Sequence, residues 1–287
     1  MPEISILILT YNSEFYIEKL LKSIISKYHN ELDSGKIEII VSDNNSSDST
    51  QKITEQQKNK GIRFVQNGGN LGFAKGINSA SKNARGETLL FINPDATFIS
   101  GDFFSISENL VGEIVVVGGK IIQQNGQREL SCGKFYTLFN VCLLALGLEE
   151  KIGVRFSPEK NRNVDWVSGG FMMVKRSFWE KMGGFDENLF MYVEDMEFCF
   201  RVKKEGFKIF FSNDATIKHI GQASSNKSFA VVNIYKGLFH FHKKHMGTWS
   251  YYCVKIILKT KSYLLVLIGK ILNNKYLADT YASTLKL

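Results

Sequence analysis

The chain has 287 residues, of which 44% are hydrophobic and 22% charged, a balance typical of a globular protein with a sizeable core. Its net charge of +8 favours an anionic partner, such as a phosphate-bearing ligand, a membrane surface or a nucleic acid. The four cysteines form no CxxC pair, which argues against a zinc site or a disulfide framework and favours a reducing cytoplasm. The N-terminus lacks the basic segment and cleavage site of a signal peptide, and no apolar run reaches membrane-spanning length.

The first half of the chain alternates short apolar segments with longer mixed ones. Strands are predicted at residues 4–9, 37–41, 62–65 and 88–92, and helices at 13–27, 49–60 and 71–83. Fully apolar strands that are separated by helices indicate an α/β fold, with a mostly parallel sheet covered by helices on both faces.

The second half has a different pattern. Residues 114–117 form another predicted strand, and Asn125-Gly126 between two polar arms predicts a tight hairpin turn. Residues 133–163 have no regular periodicity. Strands are predicted within 166–175 and at 207–211 and 216–219, a helix at 176–182, and helical structure over about the last 60 residues. We therefore divide the chain into an α/β domain, residues 1–225, and a basic helical extension, residues 226–287.

Polar residues follow each of the first four predicted strands. They are Thr10-Tyr11-Asn12, Asp43 to Asp48, Asn67 to Ala74, and Asn93-Pro94-Asp95. Ligands of an open α/β sheet bind outside the carboxyl ends of its strands, so we expect these four segments to meet in one cleft. Turn chemistry alone explains any one of them. The first turn contains no glycine and no P-loop motif is present, which excludes two common nucleotide folds.

A nucleotide site built from side chains is compatible with these segments. Asp43 can accept a hydrogen bond from a base N–H, and the Tyr11 ring can stack on that base. Asp95, in a turn restricted by Pro94, can hold a divalent cation against a diphosphate. The alternative for an isolated Asp in such a turn is a helix cap.

A second polar signal is the group of carboxylates Glu194, Asp195 and Glu197, at the predicted start of an apolar helix. Acidic residues near a helix N-terminus interact favourably with its dipole, which is one explanation. Asp195 falls on the apolar side of this helix, where burial would raise its pKa toward that of a general base. The sequence therefore predicts a catalytic carboxylate at residue 195.

Eight sequence blocks together match a known enzyme family in order and spacing over about residues 4–224. They are Ile8 to Asn12, Val41 to Asp48, Asn70 to Asn78, Leu90 to Asp95, Trp166 to Met173, Gly184 to Glu187, Glu194-Asp195, and His219 to Ser224. With these blocks the chain resembles family 2 glycosyltransferases of the GT-A fold, and most closely their rhamnosyltransferase-like branch.

The resemblance implies a role for individual residues. The nucleotide-sugar-binding residues would be Thr10, Tyr11, Asn12, Asp43, Asn70, Gly72, Phe73, Lys75, Asn93, Asp95, Trp166, Ser168, Gly169, Gly170 and Arg201. Asp195 matches the catalytic base, with Glu194 as its supporting neighbour. Arg201 would neutralise these carboxylates or approach the diphosphate, and an ion pair with Glu197 within the helix is the alternative.

The resemblance also implies a divalent metal, Mg²⁺ or Mn²⁺. Asp95 occupies the last position of the family's D-x-D motif, whereas Asn93 replaces the first Asp. A single carboxylate would bind metal weakly, so the diphosphate should supply further oxygen ligands. His219 matches a position that completes the metal or diphosphate site, and a structural histidine is the alternative.

The extension beyond residue 225 is aromatic and basic. Lysines alternate with apolar residues between Trp249 and Tyr276, which predicts a basic amphipathic helix on the anionic inner face of the cell membrane. Packing against the catalytic domain or in a homodimer is the alternative. His240, His242 and His245 are expected to form a solvated basic face, with a metal cluster as the other interpretation.

The predicted function is inverting transfer of a sugar from a nucleotide-diphosphate donor, dTDP-rhamnose or a UDP-hexose, to a hydroxyl of a bacterial surface polysaccharide or glycolipid. A non-catalytic nucleotide-sugar-binding protein on the same fold is the alternative, although such a protein would need neither Asp95 nor the pair at 194–195. A nucleic-acid-binding protein would explain the charge, but the basic residues are diffuse. A nucleotidyltransferase would need a glycine-rich loop after the first strand, and the sequence has none there.

Overall fold

A computed structural model of the chain describes residues 1–57, 61–221 and 227–287. Its strands are β1 (Ile4–Thr10), β2 (Ile37–Asp43), β3 (Ile62–Gln66), β4 (Thr88–Ile92), β5 (Ala96–Gly101), β6 (Ile114–Ile122), β7 (Cys132–Gly133), β8 (Arg155–Phe156), β9 (Arg162–Val164), β10 (Trp166–Val167), β11 (Phe171–Lys175) and β12 (Lys208–His219). Its α-helices are α1 (Glu14–Asp33), α2 (Thr50–Glu55), α3 (Gly72–Lys82), α4 (Phe103–Glu108), α5 (Leu138–Ala145), α6 (Arg176–Met182), α7 (Glu194–Lys204), α8 (Lys227–Phe241), α9 (Gly247–Ile271) and α10 (Lys275–Leu285). A π-helical turn, His242–Met246, joins α8 to α9.

One large sheet organises the part of the chain that precedes the extension, with strand order β3-β2-β1-β4-β11-β6-β12-β5 and β9 paired to β12. Strands β3, β2, β1 and β4 are parallel, as are β6 and β12, whereas β11 and β5 run antiparallel to their neighbours. The sheet separates two apolar cores because alternate strand residues point to opposite faces. In β1, Ile6 and Ile8 join the core that includes Ile17 of α1, and Leu7 and Leu9 join the core that includes Ile77 of α3.

The predicted α/β class and the first four strands are confirmed, and the differences lie mainly in the second half. The two strands predicted at 207–211 and 216–219 are one strand, β12, whose register on β6 shifts between Phe211 and Thr216. The turn at Asn125-Gly126 forms, but its return arm pairs with β6 through the single bridge Ile122–Arg128. Sequence periodicity missed β5 and α4, which are short. The end of the helix predicted at 49–60, and Gln222 to Ser224, lie outside the described residues.

The segment 133–163, irregular in sequence, supplies α5 and half of the residues of a second small sheet, in the order β10-β7-β8. This sheet supports the loop between β10 and β11, because the N–H of Ser168 donates to the carbonyl of Ser131 at 2.8 Å. Strand pairs this short have no periodicity that a sequence pattern can detect.

The extension is helical, as predicted, and its first helices are part of the main core. Leu238 and Phe241 of α8 and Val254 and Leu258 of α9 are fully buried in the apolar cluster that also contains Phe198 of α7. Within the three described ranges, no helix combines the length and the apolar character needed to cross a bilayer.

Candidate active site

The ends of β1 and β2 are held together by two side chains that were predicted to bind nucleotide. Thr10 donates from Oγ1 to Oδ1 of Asp43 at 2.7 Å. Ser46 donates from its N–H to Oδ2 and from its hydroxyl to Oδ1 of Asp43, at 2.7 and 2.6 Å. Asp43 is 1% exposed and therefore organises the loop that follows β2. Its contact with a base N–H stays a prediction.

Asn12 connects the first two loops of this edge. Its N–H donates to Oγ of Ser46 at 2.8 Å, and its Oδ1 accepts from the N–H of Ser47 at 2.9 Å. The neighbouring Tyr11 leaves 45% of its surface exposed. An accessible aromatic ring beside two ordered loops is suited to stacking on a base.

The third polar segment contacts the chain just before α7. Gly72 has φ +80°, and a Cβ atom there would lie 2.3 Å from the carbonyl oxygen of Phe190, so the position requires glycine. The N–H of Phe73 donates to the same carbonyl at 2.6 Å. Asn70 accepts from the N–H of Gly72 at 3.2 Å, and Lys75 is exposed. The start of α3 is thereby fixed against the segment that carries the predicted base.

The segment after β4 meets the end of β12 in a cluster of polar side chains. Asp95 Oδ1 lies 3.0 Å from Nε2 of His219, and Asn93 Nδ2 lies 3.3 Å from the same nitrogen. The other ring nitrogen, Nδ1, lies 2.8 Å from Oε2 of Glu129. The N–H of Gly221 donates to Oδ2 of Asp95 at 3.2 Å, whereas Oδ1 is buried without a hydrogen bond. The structure therefore brings together Asn93, Asp95 and His219 and adds Glu129.

The electrostatics of this cluster are dominated by its carboxylates. Burial opposes the charged ring, but the adjacent carboxylates of Asp95 and Glu129 outweigh it and raise the pKa of His219 to about 10, so that the ring is a cation in the free protein. A divalent cation that takes the place of the Nε2 proton would meet an imidazole nitrogen and a buried carboxylate oxygen without a hydrogen bond, which are ligand types suited to it. Among the described residues, no group of three or more acidic, histidine or cysteine side chains is placed to hold a metal ion.

The loop between β10 and β11 joins this cluster to Asp195. Its Gly170 carbonyl accepts from the N–H of Asn93 at 3.2 Å, and its Gly169 N–H donates to Oδ2 of Asp195 at 3.0 Å. A Cβ atom on Gly170 would lie 2.9 Å from Asn93 Nδ2. Ser168 closes the loop by accepting from the N–H of Gly170 at 3.2 Å. The two glycines therefore allow the backbone of this loop to pass between the side chain of Asn93 and the carboxylate of Asp195.

Asp195 and Glu194 begin α7 in contrasting environments. Asp195 accepts from two N–H groups, those of Gly169 and Met196, at 3.0 and 2.7 Å. Burial raises the pKa of Asp195, while these hydrogen bonds and the charge of Arg155 act in the opposite direction. Burial, and then the charge of Asp195, hold the pKa of Glu194 well above its usual range, and Glu194 Oε2 has no hydrogen bond. The pair can thus keep one neutral acid beside one carboxylate base.

Trp166 is a correction to the predicted site. Its ring is 6% exposed, lies against the backbone of Gly133, and donates from Nε1 to the carbonyl of Lys134 at 3.1 Å. It therefore packs the small sheet and does not line the cleft. Its block matched the family through the adjacent Ser168 and glycines, which carry the loop.

Arg201 forms the ion pair with Glu197 that the sequence analysis gave as the alternative. Its Nε lies 2.9 Å from Oε2 of Glu197, and its two terminal nitrogens donate to the carbonyls of Met182 and Gly184 at 2.6 Å each. The guanidinium thus ties α7 to the end of α6. Its predicted approach to the diphosphate has no support in this geometry.

The expectation that the histidines of the extension form a solvated basic face is wrong, and so is the metal-cluster alternative. His242 is fully buried between Oγ of Ser250 and the carbonyl of Tyr136, at 2.8 Å from each. His245 lies 2.9 Å from Oε1 of Glu197, and His240 contacts Asp186. These rings connect the extension to the catalytic half.

Two residues near the site had no sequence signal. Glu129 lies on the return arm of the predicted turn, but a lone carboxylate there matches no motif. Arg155 lies in the segment without periodicity, close enough for its charge to lower the pKa of Asp195. Only the pairing of β7 with β8, which brings Arg155 opposite Gly133, places it near this loop.

Comparisons with known proteins agree with this architecture. A family model described as "Glycosyl transferase family 2" matches residues 5–183, and one described as "N-terminal domain of galactosyltransferase" matches residues 155–223. The chain is 26% identical to rhamnosyltransferase WbbL of Escherichia coli, over 90% of this chain and 96% of that protein. It is also 26% identical to the low-salt glycan biosynthesis hexosyltransferase Agl10 of Haloferax volcanii, over 73% of this chain but only 64% of that relative's length.

Solved structures share the fold at low sequence identity. GalNAc-T7 in complex with UDP, GalNAc and Mn²⁺ superposes with a TM-score of 0.63 at 14% identity, over 85% of this chain and 48% of that one. The mannosyltransferase PcManGT from Pyrobaculum calidifontis, in complex with GDP-Man and Mn²⁺, gives 0.58 at 17% identity, over 99% and 85%. These likenesses show a GT-A fold. Because the family model covers more than half of the sequence, the chain belongs to glycosyltransferase family 2.

Proposed function

We propose that the protein is an inverting glycosyltransferase that uses a nucleotide-diphosphate sugar, dTDP-rhamnose or a UDP-hexose. The observation that carries the proposal is the position of Asp195. Its carboxylate is held by the N–H of Gly169, in the loop whose next residue contacts Asn93 beside Asp95 and His219. A buried base and a polar group suited to a diphosphate then lie on opposite sides of a two-glycine loop.

In this mechanism Asp195 removes the proton from an acceptor hydroxyl, and the resulting oxygen attacks the anomeric carbon. The bond between that carbon and the diphosphate breaks, and the nucleotide leaves with the electron pair. One base and one displacement produce inversion. Glu194, kept neutral by its raised pKa, avoids a second negative charge beside the base.

Asp95 and His219 would hold Mg²⁺ or Mn²⁺ together with the donor diphosphate. When bound, such an ion stabilises the charge that develops on the leaving group. Asn93 contributes no carboxylate, so metal affinity without nucleotide should be weak. The Mn²⁺ complexes of two structural neighbours support this assignment.

A panel of nucleotide sugars tests the proposal. Thermal shift and donor hydrolysis would be measured for the wild type and Asp195→Asn, with Mn²⁺ and with EDTA. Metal-dependent stabilisation by one donor in both proteins, with turnover only in the wild type, is the expected result. Binding without turnover in the wild type would favour the non-catalytic alternative, and no response to any donor would reject both.

The acceptor is proposed to be a glycan or a lipid-linked glycan of the bacterial surface. The names of two relatives support it: WbbL is a rhamnosyltransferase, and a Mycobacterium tuberculosis relative, 23% identical over 74% of this chain, is an N-acetylglucosaminyl-diphospho-decaprenol L-rhamnosyltransferase. An acceptor of the second kind carries a diphosphate at the membrane surface. The chain's charge of +8 is suited to it.

We also propose that the outer face of α9 rests on the anionic inner leaflet of the membrane. Trp249, Tyr252, Ile256 and Ile271 are 73, 58, 66 and 82% exposed on this helix, and the first three are spaced so that they share one side. Tyr252 and Ile256 also line a shallow depression of about 360 Å³, together with Thr260 and lysines 255 and 259. An apolar face bordered by lysines is the pattern of an interfacial helix.

Vesicle flotation tests this surface. The double variant Trp249→Ser/Ile256→Ser should lose binding to phosphatidylglycerol vesicles, whereas Phe15→Ser, which removes an equally exposed apolar side chain from α1, should not. If the double variant floats as the wild type does, the outer face of α9 is not the membrane-binding surface. A shift from dimer to monomer in the double variant, without a change in flotation, would instead identify a homodimer contact.

A further inference from the structure

The carboxylate of Glu129 reaches the active site because a tight turn folds its segment back onto β6. After the turn at Asn125-Gly126, the N–H of Glu129 donates to the carbonyl of Ile121 at 3.0 Å. Strand β6 runs beside β12, with Ile122 opposite Lys218, the residue before His219. Glu129 is therefore held beside the end of β12 by backbone pairing.

The two nitrogens of the His219 ring have different partners. Nδ1 lies 2.8 Å from Glu129 Oε2, whereas Nε2 lies 3.0 Å from Asp95 Oδ1. An ionised carboxylate can only accept, so each of these contacts requires a proton on the nitrogen concerned. A cation bound beside Asp95 would replace the proton on Nε2, whereas the proton on Nδ1 would stay with Glu129. Flipping the His219 ring about its Cβ–Cγ bond would place carbon atoms where the two nitrogens lie, and both contacts would be lost. The carboxylate of Glu129 thus determines that Nε2 is the nitrogen presented to Asp95.

The carboxylate of Asp95, on the other side of the His219 ring from Glu129, is held by a separate contact. The N–H of Gly221 donates to Oδ2 of Asp95 and leaves Oδ1 without a hydrogen bond, next to Nε2 of His219. The carboxylate and the ring therefore present one oxygen and one nitrogen to the same point. In metal sites, a carboxylate on the remote nitrogen of a ligating histidine sets the tautomer and orientation of the ring.

We propose that Glu129 is a positioning residue of the transfer site, which orients His219 so that its Nε2 and Asp95 together receive the metal-bound diphosphate of the donor. This inference rests on the proposed function, since it names a residue that acts in donor binding. The competing explanation is that Glu129 only anchors the hairpin. If Glu129 had only that role, its loss would change the stability of the fold. It would change neither the Nδ1 proton of the His219 ring nor the affinity for a metal–nucleotide complex.

The first measurement is the imidazole N–H spectrum of the full chain labelled with ¹⁵N-histidine. The chain has only five histidines, so the Nδ1–H signal of His219 can be assigned by its loss in His219→Gln. We expect Glu129→Ala to shift this signal or lose it to solvent exchange. Glu129→Gln, whose amide oxygen can still accept from Nδ1–H, should retain it. Glu108→Ala, which removes an exposed carboxylate from α4, is the matched control and should change nothing.

The second measurement is Mn²⁺ binding in the presence of UDP or dTDP, followed by electron paramagnetic resonance. We expect Glu129→Ala to weaken binding about 10- to 100-fold, Glu129→Gln to weaken it less, and Glu108→Ala to leave it unchanged. A lower melting temperature of Glu129→Ala with an unchanged His219 signal and unchanged Mn²⁺ binding would overturn the inference and leave the hairpin anchor. If Glu129→Ala does not fold, Glu129→Gln decides: weaker Mn²⁺ binding in the folded variant supports the inference, and unchanged binding overturns it.

These outcomes are distinguishable from a failure of the proposed function. If the wild type turns over no nucleotide sugar, the transferase assignment fails, yet a His219 signal and Mn²⁺–nucleotide affinity that depend on Glu129 would still support the positioning role. If transfer occurs but neither readout depends on Glu129, the inference fails and the transferase stands.

Discussion

The backbone of Gly237 in α8 lies directly against the side chain of Val193, the residue immediately before the catalytic helix. A Cβ atom at Gly237 would lie 2.7 Å from the Cβ of Val193 and 3.2 Å from the carbonyl oxygen of Tyr192. Val193 and Tyr192 have φ values of +73° and +70°, an unfavourable conformation for both and especially for a β-branched residue. Helix α8 therefore supports the strained turn that directs Glu194 and Asp195 into the site.

Gly237→Ala is accordingly expected to lower both stability and activity. The added methyl group must displace Val193 or the whole helix, and overpacking of this kind costs about 1–3 kcal/mol. Because Asp195 follows this turn, kcat/KM should fall more than the loss of folded protein explains. Melting temperature and kcat/KM would be compared with those of Lys236→Ala, an exposed neighbour on the same helix. Equal activity of the two variants would show that α8 does not position the base.

Substitutions in the pair at the start of α7 should have unequal effects on activity. Asp195→Asn removes the base and should lower kcat by about 10²–10⁴-fold, the usual contribution of general base catalysis. Glu194→Gln replaces a carboxyl whose pKa is raised well above normal, so at neutral pH it substitutes one neutral group for another. It should retain most of the activity. Equal losses in both variants, measured on folded protein, would contradict this division of roles.

The pH profile of activity should show the effect of burial on Asp195. Burial raises the pKa of this carboxyl, and the base must be ionised to act. The acid limb of kcat/KM should therefore lie at a higher pH than an ordinary aspartate would give. The profile would be measured with saturating Mn²⁺, with Tm followed in parallel to exclude unfolding. An acid limb near the ordinary pKa of 3.8 would argue against Asp195 as the buried base.

The stability of the fold should depend on pH through Glu194. Its pKa in the folded protein is above its unfolded value, so its contribution is fully present below the unfolded pKa and is lost as pH rises through the folded pKa. Glu194→Gln cannot ionise and should not suffer this loss. The Tm difference, variant minus wild type, should therefore grow as pH rises above the ordinary glutamate value of 4.5. A Tm difference that does not change with pH would show that Glu194 is ionised in both the folded and the unfolded protein over this range.

The sequence predicted the edge of the sheet that forms the site because its signals are local. Short apolar strands followed by Asn, Asp and Gly predicted β1 to β4 and the polar groups after them, including Thr10, Asp43 and Asp95. The structure pairs these strands in parallel, as predicted. Short-range periodicity and turn chemistry are sufficient for such elements.

What the sequence could not show depends on contacts between distant residues. The ring of Trp166 was assigned to the cleft by its neighbours in the motif, yet the small sheet buries it against Gly133. Glu129 reaches His219 only because β6 and β12 are adjacent. The histidines of the extension looked like a solvated face because their carboxylate partners, such as Glu197, lie about 50 residues earlier in the chain. Neither periodicity nor motif spacing encodes such pairings.

The charged contact between the extension and α7 supports a final prediction. Glu197 is fully buried and accepts from Arg201, Lys244 and His245, at 2.9, 2.8 and 2.9 Å. Burial alone would raise its pKa, but these cations lower it overall. Its stabilising contribution is therefore present above the unfolded pKa and is lost as pH falls through the folded one. Burial lowers the pKa of His245, so the cations that Glu197→Gln leaves without their counter-charge at neutral pH are Arg201 and Lys244. The loss in unfolding free energy should be about 3–5 kcal/mol.

Urea unfolding of Glu197→Gln and of Glu205→Gln, an exposed glutamate that follows the same helix, would measure this effect between pH 4 and 7. The wild type and the control should lose stability together as pH falls below the ordinary glutamate value of 4.5. Glu197→Gln should be less stable at pH 7, and its free energy of unfolding should change less with pH. Because Lys244 and His245 belong to the turn between α8 and α9, the same variant should also loosen the extension, visible as faster amide exchange in α8. Parallel pH profiles of all three proteins would mean that the cations at Glu197 do not stabilise the fold, and that apolar packing alone holds the extension to the catalytic half.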